Sequence, residues 1–459
     1  MSGKRWLPWV ALACLVVPMF GSYFFDDMFS SISFVFSDPS HIQLGWDSAG
    51  YGLYTSGYSV LCVFGGLIVC GMLLDRWGVR ITGSIFVGMM TAGAALVLWA
   101  ITSGLNPKQS LSVAYAGCML FGLGSEIAGV AVTRSIARWF KDGPMAFAMG
   151  LQLAIARLGT AFALVMAPRL VGRMPDQVGH DVLGVGHDVA GVGHDVVGIG
   201  QGVLPLEVTA RPAVLGIGLL LLGCVLWALF VALDAKRFPV KPGMTDDGEP
   251  GKDDGKSEGF RLADVGKILT NKRFILISLL CVFFYSSIIA FKKFAGAILV
   301  PRFGVPAEAA SWMVSMLPFA TVVFAPLFGI LVDKFGHGTR WMLAGAVLAL
   351  AAHLLLAFAP QGVPFWGYLS MVFLGFGYSL VPAAMWPSVP RIVPDKVLGT
   401  AFSLIYWIQN LGLMLFKMLA GVILGSAAAQ GPVHVELMFV GVCVAALAIS
   451  ASLDRMKIA

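Results

Sequence analysis

The chain has 459 residues, of which 58% are hydrophobic and 12% are charged, and its formal net charge is +6. Soluble domains carry about 25% charged residues, so this composition excludes an ordinary soluble protein. The basic residues occur in short clusters between apolar segments, which is typical of the orientation signals of a membrane protein and not of a nucleic-acid-binding surface. The seven cysteines lie within the apolar segments without metal-ligand spacing. We therefore predict an all-α membrane protein with no metal and no cofactor.

Twelve segments are long and apolar enough to cross a bilayer, which requires about 20 residues each. Lys4 and Arg5 lead directly into the first segment without a cleavage site, so we expect this helix to be retained. In chain order the predicted spans are 6–34, 47–74, 81–103, 111–139, 145–170, 212–234, 274–300, 308–333, 340–359, 364–391, 399–425 and 433–453.

The positions of lysine and arginine predict how the chain is oriented. When the twelve spans are threaded in order, most basic clusters fall on the side that also holds both termini, which identifies that side as the cytoplasm. Residues 235–273, which include "KPGMTDDGEPGKDDGKSEG", have the composition of a flexible linker on the same side. We predict two six-helix halves, 1–234 and 274–459, joined by this linker.

One motif occurs in both halves. "GMLLDRWGVR" follows the second span and "GILVDKFGHGTR" follows the eighth, and the same interval separates each pair of equivalent residues. The halves are therefore predicted repeats, with the motif acting as a latch whose contacts differ between conformations. A tight glycine turn with a solvated charge pair is the alternative. The predicted latch residues are Gly71, Asp75, Arg76, Gly78, Arg80, Gly329, Asp333, Lys334 and Gly336.

Residues 178–201 contain a Gly-His-Asp-Val unit that recurs every seven residues. The threading places this segment on the outer side, after the fifth span. We interpret it as a tandemly expanded loop, because loop closure costs only about 1.5RT ln n. Metal binding by its three His-Asp pairs is the alternative.

Charged side chains at membrane depth indicate a functional site, since each costs about 2.5–3.5 kcal/mol at a helix centre. Glu126 lies near the middle of the fourth span and Arg157 near the middle of the fifth. They are predicted either to neutralise each other or to bind a solute that carries charges of both signs. Asp26 and Lys293 are further candidates for substrate contact. Lys417 is a candidate either for the cavity or for the interface between the halves.

Three strings carry a resemblance to a known family. They are "FGLGSE", "GLQLAIARLGT" and "MWPSVPRIVPDKVLGTAFSLIYWIQNLGL", and together with the duplicated motif they resemble the lysosomal dipeptide uniporter branch of the major facilitator superfamily. The resemblance implies the superfamily fold, a central cavity for a dipeptide, and transport down the dipeptide gradient. It also implies that Glu126 and Arg157 recognise the dipeptide, with Trp386, Tyr406 and Gln409 around them.

The sequence departs from the lysosomal members in its targeting signals. The segment "MSGKR" has no acidic dileucine signal, and none of the asparagines begins an Asn-X-Ser/Thr acceptor. We therefore expect a bacterial inner membrane, with both termini cytoplasmic. Whether a partner subunit exists stays open at this point.

Other functions stay open at this point. A proton-coupled or exchanging transporter of another small organic solute is the nearest alternative, and a non-transporting membrane sensor is the next. We find no nucleophile elbow, metal-ligand cluster or phosphate-binding loop, so an enzyme is not expected.

Overall fold

The computed structural model describes residues 6–33, 44–140, 145–171, 206–239, 270–389, 391–393, 398–426 and 430–456. Within these ranges the chain is helical and contains no strand. Twelve helical stretches are long and apolar enough to cross a membrane, which confirms the predicted all-α membrane class. The helices are α1 Leu7–Asp27, α2 Ser48–Leu61, α3 Leu67–Thr102, α4 Pro107–Trp139, α5 Met145–Val171, α6 Leu206–Arg237, α7 Lys272–Phe303, α8 Ala307–Phe335, α9 Gly338–Phe358, α10 Pro364–Ser388, α11 Leu398–Ser426 and α12 Gly431–Arg455.

The second span, predicted over 47–74, is kinked in the structure. It runs over Ser48–Cys70 and contains a π-helical segment, Cys62–Gly66, in which Gly65 has a φ of 93°. A kink of this kind releases backbone carbonyls from the helical ladder. The indole Nε1 of Trp407 on α11 donates to the carbonyl of Val63 at 2.5 Å. The kink is therefore stabilised by a helix from the other end of the sequence.

The helices pack as two groups of six that follow chain order. In the first group α1 contacts α5 and α6, and α3 contacts α4 and α6. In the second group α10 contacts α8 and α9, and α12 contacts α7 and α9. The most extensive contacts between the groups join α2 to α11 and α5 to α8. We call the end at which α1 begins and α12 ends the tail end, and the opposite end the far end.

The two groups of helices approach each other closely at the far end. A Cβ atom added at Gly421 of α11 would lie 2.5 Å from the carbonyl oxygen of Ser48 and 2.7 Å from Cα of Gly52. No larger side chain fits there without displacing backbone, so this glycine permits the approach. Arg169 at the end of α5 also lies 3.4 Å from Glu308 at the start of α8. The far end of the bundle is therefore closed.

The predicted latch lies at the tail end, where Gly78 interrupts α3 with a φ of 77°. Arg80 binds Asp234 at the end of α6, with its Nε 2.8 Å from the carboxylate, and Trp139 donates to the same carboxylate at 2.7 Å. This ties α3 and α4 to α6 within the first half. The structure does not describe the surroundings of Gly71 or the side chains of Asp75, Arg76 and Asp333. It also does not describe the repeat at 178–201 or linker residues 240–269.

Candidate functional site

Glu126 lies on α4 between the two groups of helices and is half-buried. The hydroxyl of Tyr58, on the second span, donates to its Oε1 atom at 3.1 Å. A Cβ atom at Gly122, one turn earlier, would lie 2.0 Å from the carbonyl oxygen of Tyr58. Because Gly122 has no side chain, the second span can come close enough to α4 for Tyr58 to form this hydrogen bond.

Arg157 lies on α5 and is also half-buried. Its guanidinium carbon is 5.5 Å from the ring centroid of Tyr23 on α1 and 5.2 Å from that of Tyr378 on α10. Aromatic faces attract a cation by their quadrupoles, and the attraction strengthens when water is excluded. Arg157 is therefore held between the halves by one ring from each half.

Glu126 and Arg157 do not pair with each other. Among the described residues no salt bridge within 4.0 Å joins either side chain to a group of opposite charge. Their contacts are to the neutral Tyr58, Tyr23 and Tyr378. The site therefore combines one acidic and one basic side chain in the membrane interior, and among the described residues neither has a partner of opposite charge.

Aromatic side chains from the second half face these two charges. Trp386 stacks on Tyr406 with 5.1 Å between ring centroids, and its indole donates to the hydroxyl of Tyr285 at 3.1 Å. Tyr406 is 44% exposed and belongs to the second half, whereas Glu126 and Arg157 belong to the first half and are half-buried. We call the region between these side chains the central space.

Gln409 lies one turn after Tyr406 but is turned away from that ring. Only 8% of Gln409 is exposed, and its Oε1 atom accepts from the thiol of Cys281 on α7 at 3.3 Å. Of the three aromatic and amide residues implicated by resemblance, Trp386 and Tyr406 therefore stack together, while Gln409 packs against α7.

Four charged residues at the far end form a cluster across the two halves. Asp26 and Asp27 end α1, and Lys292 and Lys293 lie on α7. The Nζ atom of Lys292 is 2.6 Å from Asp27 Oδ2, and that of Lys293 is 2.9 Å from Asp27 Oδ1 and 2.8 Å from Asp26 Oδ2. Lys293 also donates to the backbone carbonyl of Asp26. Thr160 of α5 donates to Asp27 Oδ2 at 2.8 Å. We call Asp26, Asp27, Lys292 and Lys293 the far-end cluster.

Lys417 of α11 is a third charge in the interior, and only 2% of it is exposed. Its Nζ atom lies 3.3 Å from the carbonyl oxygen of Thr55 and 5.2 Å from the ring centroid of Tyr58. Both contacts belong to the second span, so Lys417 crosses the interface between the halves. This places it at the interface, one of the two positions that sequence reasoning left open.

Sequence reasoning missed several residues at this site. Tyr23, Tyr58 and Tyr378 are aromatic residues in apolar spans, and nothing in their spacing separates them from core side chains. Their one detectable signal is a polar hydroxyl at membrane depth, which requires a partner when buried. Within the described part of the chain, no group of three His, Cys, Asp or Glu side chains is placed to hold a metal.

Comparison with known proteins gives this geometry its context. The sequence profile of the Major Facilitator Superfamily matches residues 19–300 and 287–455. The chain belongs to the Major Facilitator Superfamily. This confirms the fold expected from the duplicated motif, and it makes the protein a transporter of that superfamily.

The chain is similar to curated dipeptide transporters over nearly its whole length. It is 29% identical over 425 residues to the lysosomal dipeptide transporter MFSD1 of Bos taurus, covering 92% of this chain and 80% of the relative. It is 29% identical over 440 residues to the protein of the same name from Danio rerio, covering 94% and 83%. These matches confirm the resemblance to the dipeptide transporter branch.

Solved structures confirm the fold. A bacterial homologue of the human lysosomal transporter Spinster, in an inward-facing and unoccupied conformation, superimposes with a TM-score of 0.69 at 16% identity and covers 99% of this chain and 98% of its own. The nucleoside transporter NupG superimposes with a TM-score of 0.67 at 14% identity, covering 97% of this chain and 98% of its own.

Proposed function

We propose that this superfamily member is a dipeptide uniporter that holds the two ends of its substrate with Glu126 and Arg157. The observation that carries the proposal is that these opposite charges border the central space and have only neutral partners. The similarity to lysosomal dipeptide transporters supports the choice of substrate class.

A dipeptide carries two separated charges of opposite sign, as the site does. At neutral pH it is a zwitterion whose ends are about 7 Å apart in an extended chain of two residues. Arg157 would hold the carboxylate with two parallel N–H donors, and Glu126 would accept from the ammonium group. Each buried charge then gains a countercharge when the substrate binds, which offsets the cost of desolvating it.

Substrate side chains would meet mostly aromatic surface. Tyr406 and Trp386 border the central space, and Gln409 of α11 would join them if its side chain left Cys281 of α7. Broad tolerance of neutral side chains follows, because such surfaces offer few fixed polar groups for discrimination. Asp26 and Lys293 would reach the substrate when the far end is open, since they bind each other when it is closed.

The transport cycle would alternate between closing the far end and closing the tail end. The far-end cluster closes one side, and the duplicated motif around Asp75 and Asp333 would close the other. The basic clusters of the sequence assign the tail end to the cytoplasm. In a bacterial inner membrane the far end would then face the periplasm.

Binding of end-blocked peptides tests the two-ended clamp. We expect Ala-Ala to bind and to drive counterflow in proteoliposomes without a proton gradient. We expect at least tenfold weaker binding of N-acetyl-Ala-Ala and Ala-Ala-amide, because each leaves Glu126 or Arg157 without its countercharge. The same loss is expected for tetra-alanine, because its two charged ends are farther apart than those of a dipeptide. Glu126→Gln should lower the affinity for Ala-Ala but not that for N-acetyl-Ala-Ala.

Arg157→Lys is the matched test of geometry, because lysine keeps the charge but loses the paired donors. We expect it to impair counterflow nearly as much as Arg157→Ala. Lys272→Met, an exposed change at the start of α7, serves as the control for charge removal elsewhere. Equal binding of blocked and free peptides, or normal transport by Arg157→Lys, would overturn the clamp.

A further inference from the structure

The interior charges do not balance around the central space. The far-end cluster contains two acids and two lysines and is neutral by itself. Glu126, Arg157 and Lys417 remain, which amounts to one acid and two bases. A dipeptide with neutral side chains brings one charge of each sign, so its binding leaves one positive charge uncompensated.

Lys417 is the base that the two-ended clamp does not use. It is almost fully buried, and among the described residues its polar contact is the carbonyl of Thr55, with the ring of Tyr58 beneath it. No carboxylate of the described chain lies within 4.0 Å of it. A lysine held this way in a membrane interior costs several kcal/mol, and such residues usually serve a ligand or ion. A carbonyl and a ring reduce this cost without removing the charge.

Lys417 lies on the side of the site that belongs to Glu126. Tyr58 joins the two residues, since its ring faces Lys417 and its hydroxyl donates to Glu126 at 3.1 Å. Arg157 instead contacts the rings of Tyr23 and Tyr378. The extra positive charge is therefore near the end of the site that would hold the substrate's ammonium group.

We propose that Lys417 is a specificity residue that selects dipeptides with an acidic side chain on the first residue. This inference rests on the proposed dipeptide function and on the orientation that the clamp gives to the peptide. An acidic first side chain would extend from the end held by Glu126 toward Lys417 and provide the missing negative charge. A basic first side chain would meet a like charge at the same place.

Interactions between charges about 8 Å apart in a partly buried site are strong enough to change affinity by about tenfold. We therefore expect Glu-Ala to bind the wild-type protein about tenfold more tightly than Gln-Ala, and Lys-Ala to bind about tenfold more weakly than Gln-Ala. Ala-Glu should bind only slightly more tightly than Ala-Gln, because its acidic side chain would lie at the Arg157 end of the site, away from Lys417. Dissociation constants of these five peptides can be measured on purified protein at pH 7 by calorimetry.

Lys417→Gln is the decisive variant, because it removes the charge and keeps a donor for the carbonyl of Thr55. We expect it to bind Glu-Ala, Gln-Ala and Lys-Ala with nearly equal affinity. Lys417→Arg should keep the preference, and Lys272→Met should match the wild type. A purely structural Lys417 would lower the melting temperature in Lys417→Gln while the ratio between Glu-Ala and Lys-Ala stayed as in the wild type.

Two outcomes overturn the inference. One is a wild-type protein that binds Glu-Ala and Lys-Ala equally, and this result stands even if Lys417→Gln fails to fold. The other is a Lys417→Gln variant that keeps the wild-type ratio between Glu-Ala and Lys-Ala, or a Lys417→Arg variant that loses it. Either outcome rejects the proposed role of Lys417. The dipeptide function still stands in that case if Ala-Ala binds and its end-blocked forms do not. If no free dipeptide binds, the proposed function itself fails.

Discussion

Breaking the far-end cluster at Asp27 should shift the protein toward a state in which the far end is open. Asp27 is 1% exposed and its carboxylate lies 2.6 Å from Lys292 and 2.9 Å from Lys293. In Asp27→Asn, Lys293 keeps its contact of 2.8 Å with the carboxylate of Asp26. Lys292 loses its contact with the carboxylate of Asp27, its partner among the described residues. The closed state then contains a buried ammonium group without a countercharge.

The size of this effect follows from the burial of Lys292. Removal of one partner from a buried ion pair costs about 3–5 kcal/mol. Separation of the halves hydrates Lys292, so the open state avoids most of this cost. Since about 1.4 kcal/mol corresponds to a factor of ten, a cost of about 3 kcal/mol shifts the equilibrium on the order of a hundredfold toward opening.

Cysteine labelling measures this shift directly. In a variant whose seven native cysteines are replaced, Ser48→Cys provides one thiol that is buried against α11 while the far end is closed. We expect Asp27→Asn to raise its rate of labelling by a membrane-impermeant maleimide by at least tenfold. The double variant Asp27→Asn/Lys292→Met has no unpaired charge and should label more slowly than Asp27→Asn.

Glu436→Gln is the matched control for loss of a buried polar contact. It breaks the contact of 2.7 Å between Glu436 and His353, both fully buried within the second half. We expect a lower melting temperature and an unchanged labelling rate at residue 48. If Asp27→Asn lowers the melting temperature in the same way and leaves labelling unchanged, the cluster holds the fold together without controlling access, and the reasoning is refuted.

Two further predictions concern segments whose side chains lie outside the described structure. Replacing 179–201 by a short Gly-Ser linker should leave counterflow unchanged, since the repeat is interpreted as an expanded loop. Lost transport would reject that interpretation, and a zinc-dependent rise in the melting temperature of the intact protein alone would favour the metal alternative. Asp75→Asn should reduce turnover more than dipeptide affinity, because the predicted latch changes conformational populations without contacting the solute; unchanged kinetics in a folded variant would reject the latch.

The membrane architecture was predictable from sequence because the bilayer constrains composition strongly. Each span needs about 20 apolar residues, and backbone groups in lipid must be satisfied within a helix, so hydropathy alone identifies the helices. Glu126 and Arg157 were predictable for the same reason, since a charge at membrane depth is costly wherever it occurs. The kink at Gly65 was not predicted, because the carbonyl it releases is satisfied by Trp407, far away in the chain.

Which charges meet which partners was decided only by the tertiary structure. Sequence reasoning treated Asp26 and Lys293 as separate candidates for substrate contact, yet they pair across the halves, as do Asp27 and Lys292, which are 265 residues apart. It also left open whether Glu126 and Arg157 neutralise each other, and the structure gives them tyrosine partners instead. Hydropathy fixes the depth of a residue in the membrane, because depth depends on its own helix. The direction of its side chain depends on how two six-helix groups pack against each other, and that packing arises from many weak contacts that no single segment encodes.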